Sequence, residues 1–592
     1  MTDATYTKGR WSLTDLIPAS SGPEMEAVFD DLNAVVAELE THRDDLSPEI
    51  AADTFAEMVG LVERIAYRAS QLLGYSTLWL AESTSDQQAL AFRSRVGQAL
   101  AQAQNRTLFF DLWWKALDPA AAERLAAGSG DVRYYLEALR RFAPYTLTEG
   151  EERVMNTKDV NGISGIKTLY EMITYALTFD MEIDGEVKPL TRTELMVHAR
   201  SADPDRRKAA YEAMFDTFTQ HKDVLGQMYQ FVVGDWVQEN VTLRKMDSPM
   251  VGRNLANDMP NEVVDALIEA CRENVSLYRR FFRLKAKWIG MPKLRRVDIY
   301  APLRAAEIKY SFDDGVRFIL DTMTAFSPAM AQLAERVLSE NHLDSEPRVG
   351  KDTGAFNYGV VPDRTPWVLV NYNGRADDVS TLGHELGHAV HSMMASDHSI
   401  LTCHSSLPLA ETASNFVEIL LLSRWLDEVT DDEARTALMA KYVDDSYASV
   451  MRQIYFVIFE RDIHEQLVEG SMTADEVAER YMETLREQFG DELDLADYFR
   501  WEWITIPHIY DRPFYCYAYT FGLLLVLALY QQYRSEGDAF VARYLKILEY
   551  GGSKAPMEIL DEAGFNVRTK AFWQGGLDVI ADMVNQLEAL AK

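Results

Sequence analysis

The residues with the clearest chemical potential lie in DDVSTLGHELGHAVH, residues 377–391, where His384, Glu385 and His388 form an HExxH pattern. On a helix, positions four apart stand one above the other, so both imidazoles can reach one metal ion. Zinc suits such donors: it takes nitrogen and oxygen ligands in a tetrahedron and leaves one position to water in catalytic sites. Glu385 points beside the metal rather than at it, where it can take a proton from that water. The plain alternative is two surface histidines on an ordinary helix. Leu382, Leu386, Ala389, Val390 and Met393 argue against it, because they make the helix apolar and unpurposed His and Glu costly there. Hydrolysis with one zinc ion per chain is therefore expected.

A third ligand must come from elsewhere. Position 394, where a metzincin would carry another histidine, is Met394. Downstream, LAETASNFVE (residues 409–418) places Glu411 and Glu418 seven apart on one helical face within an apolar run. Glu411 is read as the third ligand and Glu418 as the carboxylate that orients a ligand imidazole. His391 is a rival ligand, more simply read as a hydrogen-bonding support; His398 and His404 read as loop residues. A further cluster, IPHIYDRPFYCYAYTFG (residues 506–522), holds His508, Tyr515 and Tyr519. Tyrosine hydroxyls and histidine can donate to the oxyanion of a tetrahedral intermediate. The spacing equally suits an aromatic core stripe.

The elements that must position these groups are mostly helical by periodicity. An early helix is expected over Glu24–Thr41, with Ala27, Val28, Leu32, Val35, Val36 and Leu39 on one stripe. Ser47-Pro48 and Asp203-Pro204 read as helix starts, and Thr191 with Glu194 as a capping box. Val263–Trp288 and Arg435–Glu469 read as long scaffold helices. Asp377 or Asp378 can cap the HExxH helix. Asp184-Gly185 predicts a hairpin near residues 177–190. Strand-like runs at Gly354–Val361 and Trp367–Tyr372 immediately precede the HExxH helix. A soft boundary near residue 200 separates an N-terminal helical lobe, 1–200, from a catalytic domain, 201–592.

Composition narrows the function class. The 592 residues are 47% hydrophobic and 26% charged, an ordinary globular balance with room for more than one core. Against 92 acidic residues there are 59 Lys and Arg, a net charge of −33 that repels nucleic acid. That acidity suits either cationic substrates or solubility. Cys271, Cys403 and Cys516 form no disulfide framework and fit a reducing compartment. The opening MTDATYTKGRWSLTDL lacks the basic head and apolar run of a signal peptide, and FGLLLVLALY (521–530) is too short to span a bilayer. A cytoplasmic protein without a membrane partner is expected.

In order and spacing, HELGH, the ETASNFVE run and the HIYDRPFYCYAYTFG stretch resemble the M3 family of zinc oligopeptidases, most nearly its oligoendopeptidase F branch. GKDTGAF (350–356) followed by WVLVNYNG is similar to the segment before the metal helix in that branch. The likeness is detailed over the C-terminal two-thirds and looser before it. It implies His384, His388 and Glu411 as zinc ligands, Glu385 as base, and His508 and Tyr519 as transition-state donors with Tyr515 close behind. Tyr510 and Tyr517 remain open. It also implies a mainly α, elongated multi-helix ellipsoid with a deep channel and a small β-sheet beside the zinc helix. The strand around Trp367–Asn373 would bind substrate backbone by β-addition, and substrates would be short unstructured peptides cut at internal bonds. Two alternatives stand beside this: a carboxypeptidase of a related helical HExxH type, and a silent peptide-binding protein.

Overall fold

Helices cover most of the chain in the computed structural model, which describes residues 5–303 and 309–591; seven short strands form three small sheets among them. The fold is mainly α. Residues 1–4, which open the segment read for a signal peptide, lie outside the described residues. The helix expected over Glu24–Thr41 runs Pro23–Thr41 and buries Met25, Phe29, Leu32, Val35, Val36 and Leu39, whereas Ala27 faces solvent. Asp203 caps helix Pro204–Gln220 through Asp205 N–H, with Pro204 in its first turn, and Thr191 and Glu194 make the reciprocal capping box.

Two local expectations fail for physical reasons. Ser47-Pro48 opens a turn closed by Ile50 N–H donating to Ser47 O, and the helix starts only at Ala52. The rod expected over Val263–Trp288 breaks at Asn274 into Asn261–Glu273 and Val275–Trp288. The Asn274 amide donates back to Ala270 O at 2.9 Å and across to Gln574 at 2.7 Å, competing with the helical backbone bonds. The long helix expected over Arg435–Glu469 does form: Asp432–Ser446 continues through a π turn, Tyr447–Met451, into Arg452–Glu469 without a break.

Two compact units share the chain, and each draws on both sides of residue 200. The first comprises Met1–Ala143, Glu307–Glu428 and Gln532–Asn566; the second comprises Pro144–Ala306, Val429–Gln531 and Val567–Lys592. The boundary expected near 200 thus falls inside the second unit.

In the second unit, β1 (Phe179–Ile183) and β2 (Glu186–Leu190) form the expected hairpin. Asp184 and Gly185 adopt φ 54° and 85°, as a two-residue turn between twisted strands requires. There too, β3 (Leu294–Arg295) pairs in parallel with β7 (Leu493–Asp494). The first unit holds a sheet of β4 (Leu343–Asp344), β6 (Trp367–Leu369) and β5 (Phe356–Tyr358), with β6 in the middle. Its Trp367 and Leu369 share a core with Leu32, Val36, Leu72 and Tyr75 of the N-terminal helices, which binds the start of the chain to the sheet. Residues 9–12 run along the outer side of β4: Gly9 O accepts from Ser345 N–H, and Ser12 N–H donates to Asn341 O.

The segment 521–530 lies in helix Tyr517–Glu536 with Phe521, Leu524, Leu525, Val526 and Leu527 buried. Among the described residues, no helix is long and apolar enough to cross a membrane. All three cysteines are free and buried.

Candidate active site

The HExxH motif occupies helix Ala376–Met394, whose start is fixed by Asp378 accepting from the N–H groups of Asn373 and Arg375. Its partner is helix Thr412–Glu428, with Glu411 immediately ahead. Close approach of the two helices rests on Gly383 and Gly387. A Cβ on Gly387 would lie 2.7 Å from Ser414 Cα and 2.9 Å from Ala413 O; one on Gly383 would meet Leu421 at 2.5 Å. The sequence shows the two glycines four apart in GHELGH, but not the backbone they let approach.

That approach brings the donors together. Glu411 Oε2 lies 3.4 Å from His384 Nε2 and 3.3 Å from His388 Nε2, and one ligand atom from each of the three residues lies within 4.8 Å of the others. Tetrahedral ligation with bonds near 2.0–2.1 Å separates neighbouring donor atoms by about 3.3 Å. The three residues therefore fit a metal ion of that geometry. Ser414 Oγ donates to Glu411 Oε2 at 2.7 Å, and Glu418 Oε2 stands 3.4 Å from His384 Nδ1, on the ring's other face. Ser414 is a second contributor missed in the sequence.

The electrostatics favour a cation at this point. Burial alone would pull His384 down, yet Glu418, with Glu411 and Glu385 nearby, lifts it to about 9. Burial would raise Glu411, but the His388 imidazole and the Ser414 hydroxyl hold it at about 2. Glu385 is buried on the same helix, and that burial raises its carboxyl above the usual range while both histidines pull the other way. A raised carboxyl suits a proton acceptor. His391 lies fully inside, held at about 4 by burial and hydrogen-bonded to the Ala410 main chain just ahead of Glu411. His398 and His404 lie in the loop that follows the helix, His398 bound to Asp131 at 2.6 Å.

The sheet beside this helix corrects one expectation. Trp367–Asn373 cannot offer its edge as a whole, because β6 is flanked by β4 and β5. Val368 and Val370 N–H donate towards the β4 side, so Trp367 and Leu369 turn to β5 and pair with Tyr358 and Phe356. Asn357 is left with its main-chain N–H and C=O directed away from β6. Among the described residues, β5 pairs on that one side only.

His508, Tyr515 and Tyr519 come together in the second unit. His508 is on the short helix Pro507–Asp511, Tyr515 in the turn after it, and Tyr519 in the first turn of helix Tyr517–Glu536. The Tyr519 hydroxyl is 3.4 Å from His508 Nε2. Tyr515 lies parallel to His508 at 6.4 Å and perpendicular to Tyr519 at 5.4 Å. Burial, then Arg452, lowers His508, leaving a neutral imidazole, while burial and Tyr515 push Tyr519 to about 12. Tyr519 is 40% exposed, which an aromatic core stripe would not be. Tyr510 and Tyr517 do belong to the core. Tyr510 stacks on Tyr170 at 3.8 Å and donates to Leu225 O, and the Tyr517 hydroxyl accepts from Asn257.

Residues 197–579 match the family model Peptidase family M3, and residues 113–179 match Oligopeptidase F. The chain belongs to peptidase family M3. This M3 metallo-oligopeptidase is 24% identical to Oligopeptidase PepF of Bacillus subtilis, over 98% of the chain and 87% of that relative. It is 28% identical to the chromosomal Oligoendopeptidase F of Lactococcus lactis, over 69% and 68% of the two chains. Its fold matches a Chlamydophila abortus structure described as a peptidase, with TM-score 0.90 at 22% identity over 98% of each chain. Oligoendopeptidase-F of Enterococcus faecium aligns with TM-score 0.71 at 18% identity over 96% and 98%.

The glycine contact in the M3 peptidase predicts opposite signs for two similar substitutions. Gly387→Ala should lower the melting temperature by the equivalent of roughly 1–3 kcal/mol, because the atoms its methyl meets are backbone and cannot swing away. Metal affinity should fall with it as the two helices separate. Gly97→Ala, in helix Gln87–Ala116 with open space around it, should instead gain up to about 1 kcal/mol. Thermal melts and metal titrations of the two variants check both signs.

Proposed function

We propose that the chain is a zinc-dependent oligoendopeptidase that hydrolyses internal bonds of short unstructured peptides. The observation that carries this reading is the pair of 3.3 and 3.4 Å edges joining Glu411 to both histidines, with Glu385 buried between those histidines in the sequence. Two imidazoles and one carboxylate are donors that zinc favours, and such a set leaves a position open. When bound, the metal supplies a Lewis acid that acidifies water and polarises a carbonyl.

The remaining work falls to the chain's own residues. Glu385 accepts the proton of the attacking water and returns it to the departing amine. Ser414 and Glu418 hold Glu411 and His384 in position. Asn357 offers one N–H and one C=O to an extended peptide, which joins β5 as a further strand. His508 and Tyr519, with Tyr515 beside them, donate to the oxyanion as it develops.

Peptides of graded length, blocked at both ends, test the reading when digested by chelated and zinc-restored protein. Internal cleavage that returns with zinc is expected. Stepwise loss of C-terminal residues from unblocked peptides alone would make the chain a carboxypeptidase, and binding without cleavage a silent receptor.

Tyr519→Phe tests the donor assignment. A hydroxyl that strengthens its bond only in the transition state appears in kcat rather than KM. Its removal should slow turnover roughly 10²- to 10³-fold, about 3–4 kcal/mol, with metal and fold intact. His508→Ala should follow the same pattern more weakly. If Tyr515→Phe is the slow variant and Tyr519→Phe is not, the donor moves to the turn.

A further inference from the structure

The turn that carries Tyr515 is held from behind by a carboxyl buried in the scaffold. Phe514 has φ 60°, a left-handed conformation that is strained for a bulky side chain and persists only where its surroundings impose it. The conformation points the Phe514 N–H into the interior of the second unit. There it donates to Glu460 Oε1 at 2.9 Å, from the middle of helix Arg452–Glu469. One turn further along that helix, His464 packs its ring 4.6 Å from the Phe514 ring. The preceding carbonyl, Pro513 O, accepts from Arg253 Nε at 3.0 Å.

Glu460 is wholly buried, and among the described residues its second oxygen has no hydrogen-bond partner. Burial lifts it to about 8, so at neutral pH the group is largely an uncharged acid. A carboxyl in such a place is costly; it accepts from the Phe514 N–H and lies within reach of the Arg253 charge that also holds Pro513 O. The turn it secures joins the helix of His508 to the helix of Tyr519. Tyr515, the residue after Phe514, makes ring contacts with both His508 and Tyr519.

We infer that Glu460 is a positioning residue: its hydrogen bond to Phe514 sets the left-handed turn that aligns Tyr515 and Tyr519 with His508. The inference rests on the donor role proposed above for those three residues. It acts on kcat, because displacing a transition-state donor by about an ångström can cost up to about a hundredfold in rate while leaving ground-state binding in place.

Three substitutions separate a hydrogen bond from a charge. Glu460→Gln keeps the reach and an acceptor oxygen, and should turn over within about threefold of the parent. Glu460→Asp keeps the carboxyl but is one methylene too short to meet Phe514 N–H at the observed distance. Its kcat should fall at least about tenfold with KM and zinc content near normal. Glu460→Leu should match Asp; should it fail to fold, the Gln and Asp pair decides alone. A normal kcat in Glu460→Asp, or equal losses in Asp and Gln, overturns the inference. Tyr519→Phe, Tyr515→Phe and His508→Ala run in the same assay identify which claim has failed. If all three turn over normally, the donor reading falls and takes this inference with it. If they are slow while Glu460→Asp is normal, the inference alone falls.

Discussion

Glu385→Gln should keep a full complement of metal and lose at least about a thousandfold in turnover. The amide has nearly the shape of the carboxylate, so the buried space that Glu385 occupies is filled as before. The three groups placed to hold a metal are His384, His388 and Glu411, and the substitution alters none of them. What disappears is the proton acceptor, because an amide oxygen is far too weak a base to take a proton from water. The loss should fall on kcat, with KM for a blocked peptide within a few-fold. Metal analysis of the purified variant is the decisive control. If its zinc content drops well below that of the parent, Glu385 is a ligand or a structural element instead of the base.

Glu411→Ala and Glu418→Ala should separate a ligand from its support. Without Glu411, two imidazoles remain, Ser414 keeps only the main-chain carbonyl of residue 411 as acceptor, and zinc should no longer stay with the protein through purification. Activity should vanish with it. Glu418 touches only the far nitrogen of His384, so its removal should weaken zinc by roughly 10- to 100-fold, and excess metal should restore turnover. Stability offers an independent readout. A metal bound only by the folded chain raises its melting temperature, so zinc should shift the melt of Glu418→Ala and leave that of Glu411→Ala in place. The reverse order of effects would transfer the third ligand to Glu418.

The chemistry at the metal was legible in the sequence because it is local. His384 and His388 are one helical turn apart, and the helix supplies their common direction without help from the rest of the fold. Glu411 and Glu418 were readable for the same reason: seven residues make two turns, and the apolar run around them marks a buried face. The hairpin at Asp184-Gly185 and the caps at Thr191 and Asp203 are likewise decided within four or five residues.

Tertiary structure decided whatever depends on which surfaces meet. Gly383 and Gly387 are two small residues in a motif until Ser414 and Leu421 are seen where their side chains would be. Trp367–Leu369 reads as a strand, but only pairing with Leu343–Asp344 makes it central and leaves β5 as the outer strand. Four tyrosines at similar spacing become two core rings and two beside His508 because Tyr170, Leu225 and Asn257 claim the first pair. The Glu460 bond to Phe514 spans 54 residues, and no periodicity in either segment announces it. The sequence alone therefore determined the chain's class of chemistry, whose signal repeats within a helical turn. Long-range packing decided which strand is outermost among the described residues, the close helix approach and the placement of the tyrosines, since each depends on residues far apart in the chain.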